Sequence, residues 1–161
     1  MDPRLTPLYD IFKLNSRLFL NCLEGMDEDQ ARWRPGAASN SAGFVAAHLV
    51  DSRRYSATVL GLSLPPCFGG RLDAAKSIGE VKDLPRLDEI RSEWKSVTGN
   101  LRERLKAATP EELDRPVATQ FPVDDKRVLG VFGFLMQHDS YHIGQLAFLR
   151  KQAGLEAMRY S

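Results

Sequence analysis

His138 and His142 lie four residues apart. On a helix that spacing sets both imidazoles on one face, one turn apart. Helical His-x-x-x-His metal sites use the same geometric device. His48, the only other histidine of the chain, falls in the middle of a second helical pattern, on its inward stripe. Imidazole suits zinc, nickel, iron and copper. Three neutral ligands leave a divalent ion's charge uncompensated and a fourth position open to water, a thiolate or a substrate oxygen. An open position marks catalytic rather than structural sites. The competing reading is three core imidazoles satisfied by hydrogen bonds, and helical spacing alone leaves the two open. The chain lacks a Glu directly after the first histidine of the pair, since Asp139 follows His138. This argues against a His-Glu-x-x-His protease.

Neighbouring residues supply candidates for tuning such a site. Asp51 is three residues after His48, Asp139 three before His142, and Gln145 three after it. Each is placed to accept the second N–H of an imidazole. Asp51 is the candidate catalytic acid or base, whereas Asp139 has solvent as its alternative setting. Tyr141 is the second catalytic candidate, expected with Tyr55 to line the pocket and donate to a substrate. Simple packing is the alternative for both tyrosines.

Four long helical patterns must position these groups. The first covers roughly 4–23, with Leu5, Leu8, Ile11, Phe12, Leu14, Leu18, Phe19 and Cys22 on one broad face. Asn15 interrupts that face. Gly25 is a stop, and Trp33-Arg34-Pro35-Gly36 reads as a loop whose tryptophan plugs one end of the core. The second helix runs from a cap at Asn40 or Ser41 to about Leu60. Its inner stripe is Phe44, Ala47, His48, Asp51 and Tyr55. Residues 61–84 form a long connection, with a short helical piece near Asp73. The third helix runs from Pro85 or Leu87 to about Ala107, on a stripe of Leu87, Ile90, Trp94, Val97, Leu101 and Leu105. Thr109-Pro110-Glu111-Glu112 has the grammar of a capped short turn. Residues 113–125 are irregular, with an extended stretch around Val117 to Val123. The fourth helix covers about Lys126 to Gln152 and closes at Gly154. No strict alternation argues for a sheet. The fold class is therefore all-α, a four-helix bundle with long connections, in one domain spanning 1–161.

Whole-chain composition narrows the functions. Apolar residues make up 43% and charged residues 27%, an ordinary globular balance. Twenty-two Lys and Arg against 21 Asp and Glu leave a charge of +1, with no general pull toward nucleic acid. The run Arg102, Arg104 and Lys106 reads as a solvated helix face. No apolar stretch is long enough to span a membrane. The opening Asp2-Pro3-Arg4 lacks the pattern of a signal peptide, so the expected compartment is the cytoplasm. Cys22 and Cys67 form no CxxC pair and are read as reduced thiols.

The segments Gly43-Phe44-Val45-Ala46-Ala47-His48-Leu49 and His138-Asp139-Ser140-Tyr141-His142-Ile143-Gly144-Gln145-Leu146 resemble the DinB/YfiT-like superfamily. So do Trp33-Arg34-Pro35 and the tail Leu149-Arg150-Lys151-Gln152-Ala153-Gly154. The likeness extends over about residues 4–155, and the Tyr-His-x-Gly-Gln piece is its most specific part. The resemblance implies an up-up-down-down four-helix bundle with a long crossover, and a homodimer. It implies that His48, His138 and His142 ligate a divalent ion, commonly nickel or zinc. Despite the family name, it implies no handling of DNA. Relatives include bacillithiol-type transferases and mycothiol-dependent isomerases, in which a low-molecular-weight thiol binds the metal as thiolate and is delivered to an electrophile. A metal-dependent thiol S-transferase acting on a small molecule is therefore the leading expectation. A metal-dependent hydrolase using metal-bound hydroxide is the alternative, and a non-catalytic metal or ligand-binding protein is the third.

Overall fold

The computed structural model describes residues 1–72, 80–81 and 83–160. Six α-helices are present among them: α1 (Thr6–Leu23), α2 (Glu28–Arg32), α3 (Ala42–Val59), α4 (Leu87–Ala107), α5 (Pro110–Leu113) and α6 (Val128–Gln152). A 3₁₀ turn, Pro3–Leu5, leads into α1, and a second covers Cys67–Gly70. The four long patterns are thus α1, α3, α4 and α6. The helical piece expected near Asp73 lies outside the described residues.

Local chemistry accounts for the helix ends. Ser41 caps α3 by accepting the Phe44 N–H at 3.2 Å. Thr109 and Glu112 form a reciprocal capping box on α5. Asp27 and Gln30 form another on α2, a helix that lies between the expected stop at Gly25 and the expected loop at 33–36. At the far end of α1, the Arg150 guanidinium donates to the Cys22 carbonyl at 3.2 Å and to that of Glu24. Arg91 donates to the Leu23 carbonyl at 2.6 Å. Carbonyls with no helical partner thus receive cations where the helix dipole favours them.

The core has two parts, and their membership sets the direction of each helix. One part gathers the end of α1 (Leu18, Phe19, Leu23), the start of α3 (Val45, Leu49), the start of α4 (Ile90, Trp94) and the end of α6 (Ile143, Leu146). The other gathers the start of α1 (Phe12), the end of α3 (Ala57, Val59), the end of α4 (Leu101, Leu105) and the start of α6 (Val131, Phe132). Helices α1 and α6 therefore run one way, and α3 and α4 the other. The order is up-down-down-up, which corrects the up-up-down-down expectation. It also explains the long connection. Because α3 and α4 are parallel, the chain after α3 must return along the bundle, about 27 Å for 18 residues.

Helix α6 packs against both α1 and α3, and α4 against α3 and α1. Between the two core parts lies a polar waist of buried Asn15, Ser16, Arg53, Ser56, Thr98 and Asp139. Asn15, which breaks the apolar face of α1, donates to Ser140 Oγ at 2.9 Å and to the Met136 carbonyl at 3.3 Å. Trp33 is 43% exposed and does not plug the core. It follows α2 directly, and buried Met26 and Ala31 close that end instead. The 113–125 stretch forms no strand. It makes one antiparallel bridge, Pro116 to Arg127, with the Val117 N–H donating to the Lys126 carbonyl at 2.8 Å. Cys22 and Cys67 are both buried thiols, not joined in a disulfide.

Candidate metal centre

The antiparallel seam of α3 and α6 brings the three histidines together. His48 projects from α3, and His138 and His142 from consecutive turns of α6. Their ligand atoms all lie within 4.8 Å of one another. The His138 Nε2 is 3.4 Å from the His48 Nε2 and 3.1 Å from the His142 Nε2. Ligands about 2.0–2.1 Å from a tetrahedral ion are separated by about 3.3 Å, so these spacings fit a shared ion. The rings meet edge-on, at interplanar angles of 63° to 74°, which aims nitrogens rather than ring faces at a common point.

The opposite ring nitrogens are held in place. Gln145 Oε1 accepts from the His142 Nδ1 at 2.7 Å, while its Nε2 donates to the Tyr141 hydroxyl at 3.1 Å. A carboxamide oxygen only accepts, so the His142 proton resides on Nδ1 and the Nε2 lone pair faces the cluster. Ser52 Oγ sits 3.2 Å from the His138 Nδ1. Burial, reinforced by the neighbouring imidazoles, depresses the His138 pKa to about 4. His48 is lowered as well, by burial and then His142, against an upward pull from Asp51. Both therefore stand neutral near pH 7, the form that binds metal.

The structure places the remaining candidates differently. Asp51 is half-buried and accepts from Arg54 Nε at 3.1 Å. Its charge reaches His48 through space. Tyr141 is 58% exposed, its ring centroid 5.0 Å from that of His142. Gln145 does orient an imidazole. Asp139 neither orients one nor faces solvent. It is fully buried and pairs with Arg53 at 2.9 Å. Burial pushes its carboxyl upward, and the guanidinium opposes that shift.

Sequence reasoning missed four contributors: Ser52, Arg53, Phe121 and Phe134. Phe134 lies one turn before His138 on α6, their ring centroids 6.5 Å apart. It stacks on Phe121 at 4.7 Å, and Tyr55 meets Phe121 edge-on at 5.8 Å. This aromatic wall bounds one side of the histidines. A groove of about 750 Å³ adjoins His142 through Tyr141 and Gln145 and is lined also by Pro35, Asn40, Val45 and Phe148 among others. Among the described residues, no charged side chain lines it. Spacing within α6 was a usable signal for Phe134. Phe121 carried none, because it arrives from an irregular connection.

A helical bundle with three half-buried imidazoles converging from two helices defines a class of metal-binding bundle proteins. Residues 11–146 match the model of the DinB superfamily, and the chain belongs to that superfamily. No curated protein matches it significantly.

Proposed function

We propose that His48, His138 and His142 hold a divalent ion, nickel or zinc, in a catalytic site for transfer of a low-molecular-weight thiol to an electrophile. The observation that carries this reading is the convergence of three Nε2 atoms at 3.1 and 3.4 Å from imidazoles that are half-buried. Among the described residues three protein ligands meet there, which leaves coordination for an exogenous group. A bound divalent ion supplies Lewis acidity, which favours the thiolate form of a thiol at neutral pH.

The chain's own residues do the rest. Gln145 fixes the tautomer of His142, and Ser52 steadies His138. Phe121 and Phe134 exclude water from one flank. The groove beside His142, whose described lining is uncharged, suits the body of a neutral electrophile, and its volume is that of a small-molecule site. Tyr141 borders both groove and His142, where its hydroxyl is placed to donate to the electrophile. Asp51 stays the candidate acid or base on the α3 side.

The test begins with untagged protein and its metal content per chain by mass spectrometry. Stoichiometric nickel or zinc is expected, and its loss in His48→Ala, His138→Ala and His142→Ala. X-ray absorption is then recorded with glutathione, bacillithiol and mycothiol in turn. A new metal–sulfur shell near about 2.3 Å with one of them supports thiol transfer. A stoichiometric metal that shows no sulfur shell with any of them overturns it.

A further inference from the structure

Arg53 is a fully buried arginine in the middle of α3, and it touches all three other long helices. Its Nε donates to Asp139 Oδ2 on α6 at 2.9 Å. Its Nη1 donates to Ser16 Oγ on α1 and to Thr98 Oγ1 on α4, each at 2.8 Å. The guanidinium lies 3.7 Å from the Trp94 ring centroid on α4 and 4.7 Å from that of Phe12 on α1. One planar cation is thus clamped by α1, α4 and α6 at the polar waist.

Such a group is costly to bury, and pairs of this kind are often no more stabilising than apolar side chains of equal volume. The cost is visible in this pair. Arg53 Nη2 and Asp139 Oδ1 have no hydrogen-bond partner within the described protein, so the fork is sheared rather than bidentate. Stability alone is a poor account of it. Its location supplies a better one. Ser52, adjacent to Arg53, contacts His138, and Asp139 is adjacent to His138. The Arg53–Asp139 pair therefore spans the core side of the same α3–α6 seam that carries the histidines on its open side. A slip of α3 along α6 would break the pair and separate His48 from His138 and His142 together.

We infer that Arg53 and Asp139 are positioning residues that fix the register of α3 on α6 and so set the geometry of the histidine triad. This rests on the metal-site reading above. It is tested with Arg53→Met/Asp139→Leu, which removes both charges at similar volume, and with Ser16→Ala/Thr98→Val, which keeps the ion pair and removes the Nη1 acceptors together with the Ser16 hydroxyl's bond to the Phe12 carbonyl. Cobalt(II) is titrated into the metal-free proteins, and its visible absorption and affinity are measured beside cooperative thermal unfolding. The first variant is expected to unfold cooperatively yet bind cobalt about 10–100-fold more weakly, with an altered absorption envelope. The second is expected to weaken binding about threefold to tenfold, less than the roughly 10–100-fold typical of direct outer-shell partners. Wild-type cobalt affinity and spectrum in a folded Arg53→Met/Asp139→Leu protein would overturn the inference. Should that variant not fold, wild-type binding by Ser16→Ala/Thr98→Val overturns it equally. If the unmodified protein binds no cobalt, the metal reading fails by itself. Through-space NMR contacts in the metal-free proteins then decide the positioning role: the contact between the His48 and His138 rings, whose centroids lie 5.2 Å apart, is expected to be lost in the first variant, and its retention counts against the inference.

Discussion

At the scale of single residues, Gln145 is the most instructive side chain outside the triad. Its oxygen commits the His142 proton to Nδ1, so the opposite lone pair is available to a metal without a tautomer change. Gln145→Ala removes that commitment and leaves all three ligands in place. The expected outcome is about 10–100-fold weaker zinc binding, read by chelator competition, with the apo fold unchanged by circular dichroism. A second expectation concerns protons. His138 titrates at about 4 in the folded protein and at about 6.5 unfolded. Between those values the unfolded chain binds more protons, so stability rises with pH. Metal-free protein should lose stability as pH falls from about 6.5 to about 4, and His138→Phe should flatten that part of the curve. Denaturant midpoints at closely spaced pH values measure both, and an equal slope in the variant would contradict the burial of a neutral imidazole.

At the scale of elements, two glycines make opposite predictions. Gly99 lies inside α4 with nothing within 4 Å of an added Cβ. Gly99→Ala removes unfolded-chain entropy without strain and should stabilise the protein by about 0.5–1 kcal/mol. Gly130 lies in the first turn of α6, where an added Cβ would collide with the Asp125 carbonyl and sit 2.5 Å from its Cβ. The backbone must shift to admit it, so Gly130→Ala should cost about 1–3 kcal/mol. Urea unfolding of both variants checks the sign and the size. The elements also show what patterning can convey. The four long helices and the His138–His142 spacing were legible because both depend on local periodicity. The senses of the helices were not, since they follow from which ends share a core. Helix α2 carried its signal in Asp27 and Gln30, but one turn has no periodicity to support it. Arg53 reads as one of two adjacent surface arginines, and its partner Asp139 is 86 residues away. Asp139 likewise reads as a polar residue between two ligands, and only packing reveals the pair.

At the scale of the whole molecule, the waist separates two apolar halves, and the histidines cross it on the open side of one seam. Metal bound by all three ligands would join α3 to α6, because His48 comes from one helix and the pair from the other. His138 and His142 alone belong to a single helix and cannot join anything. Binding to the folded state therefore stabilises the bundle by about 2.7 kcal/mol at a free metal concentration about 100 times Kd. For a chain of this length that corresponds to a rise in Tm of roughly 5–10 °C, reduced by any affinity of the unfolded chain for the ion. Zinc added to metal-free protein should produce this rise, and a chelator should reverse it. His48→Ala should abolish the rise while His138 and His142 remain intact, because the cross-link rather than local coordination carries the stabilisation. A rise of equal size in His48→Ala would mean that the ion acts within α6 alone. The seam would then not be the metal's structural target, although the two imidazoles of α6 would still bind it.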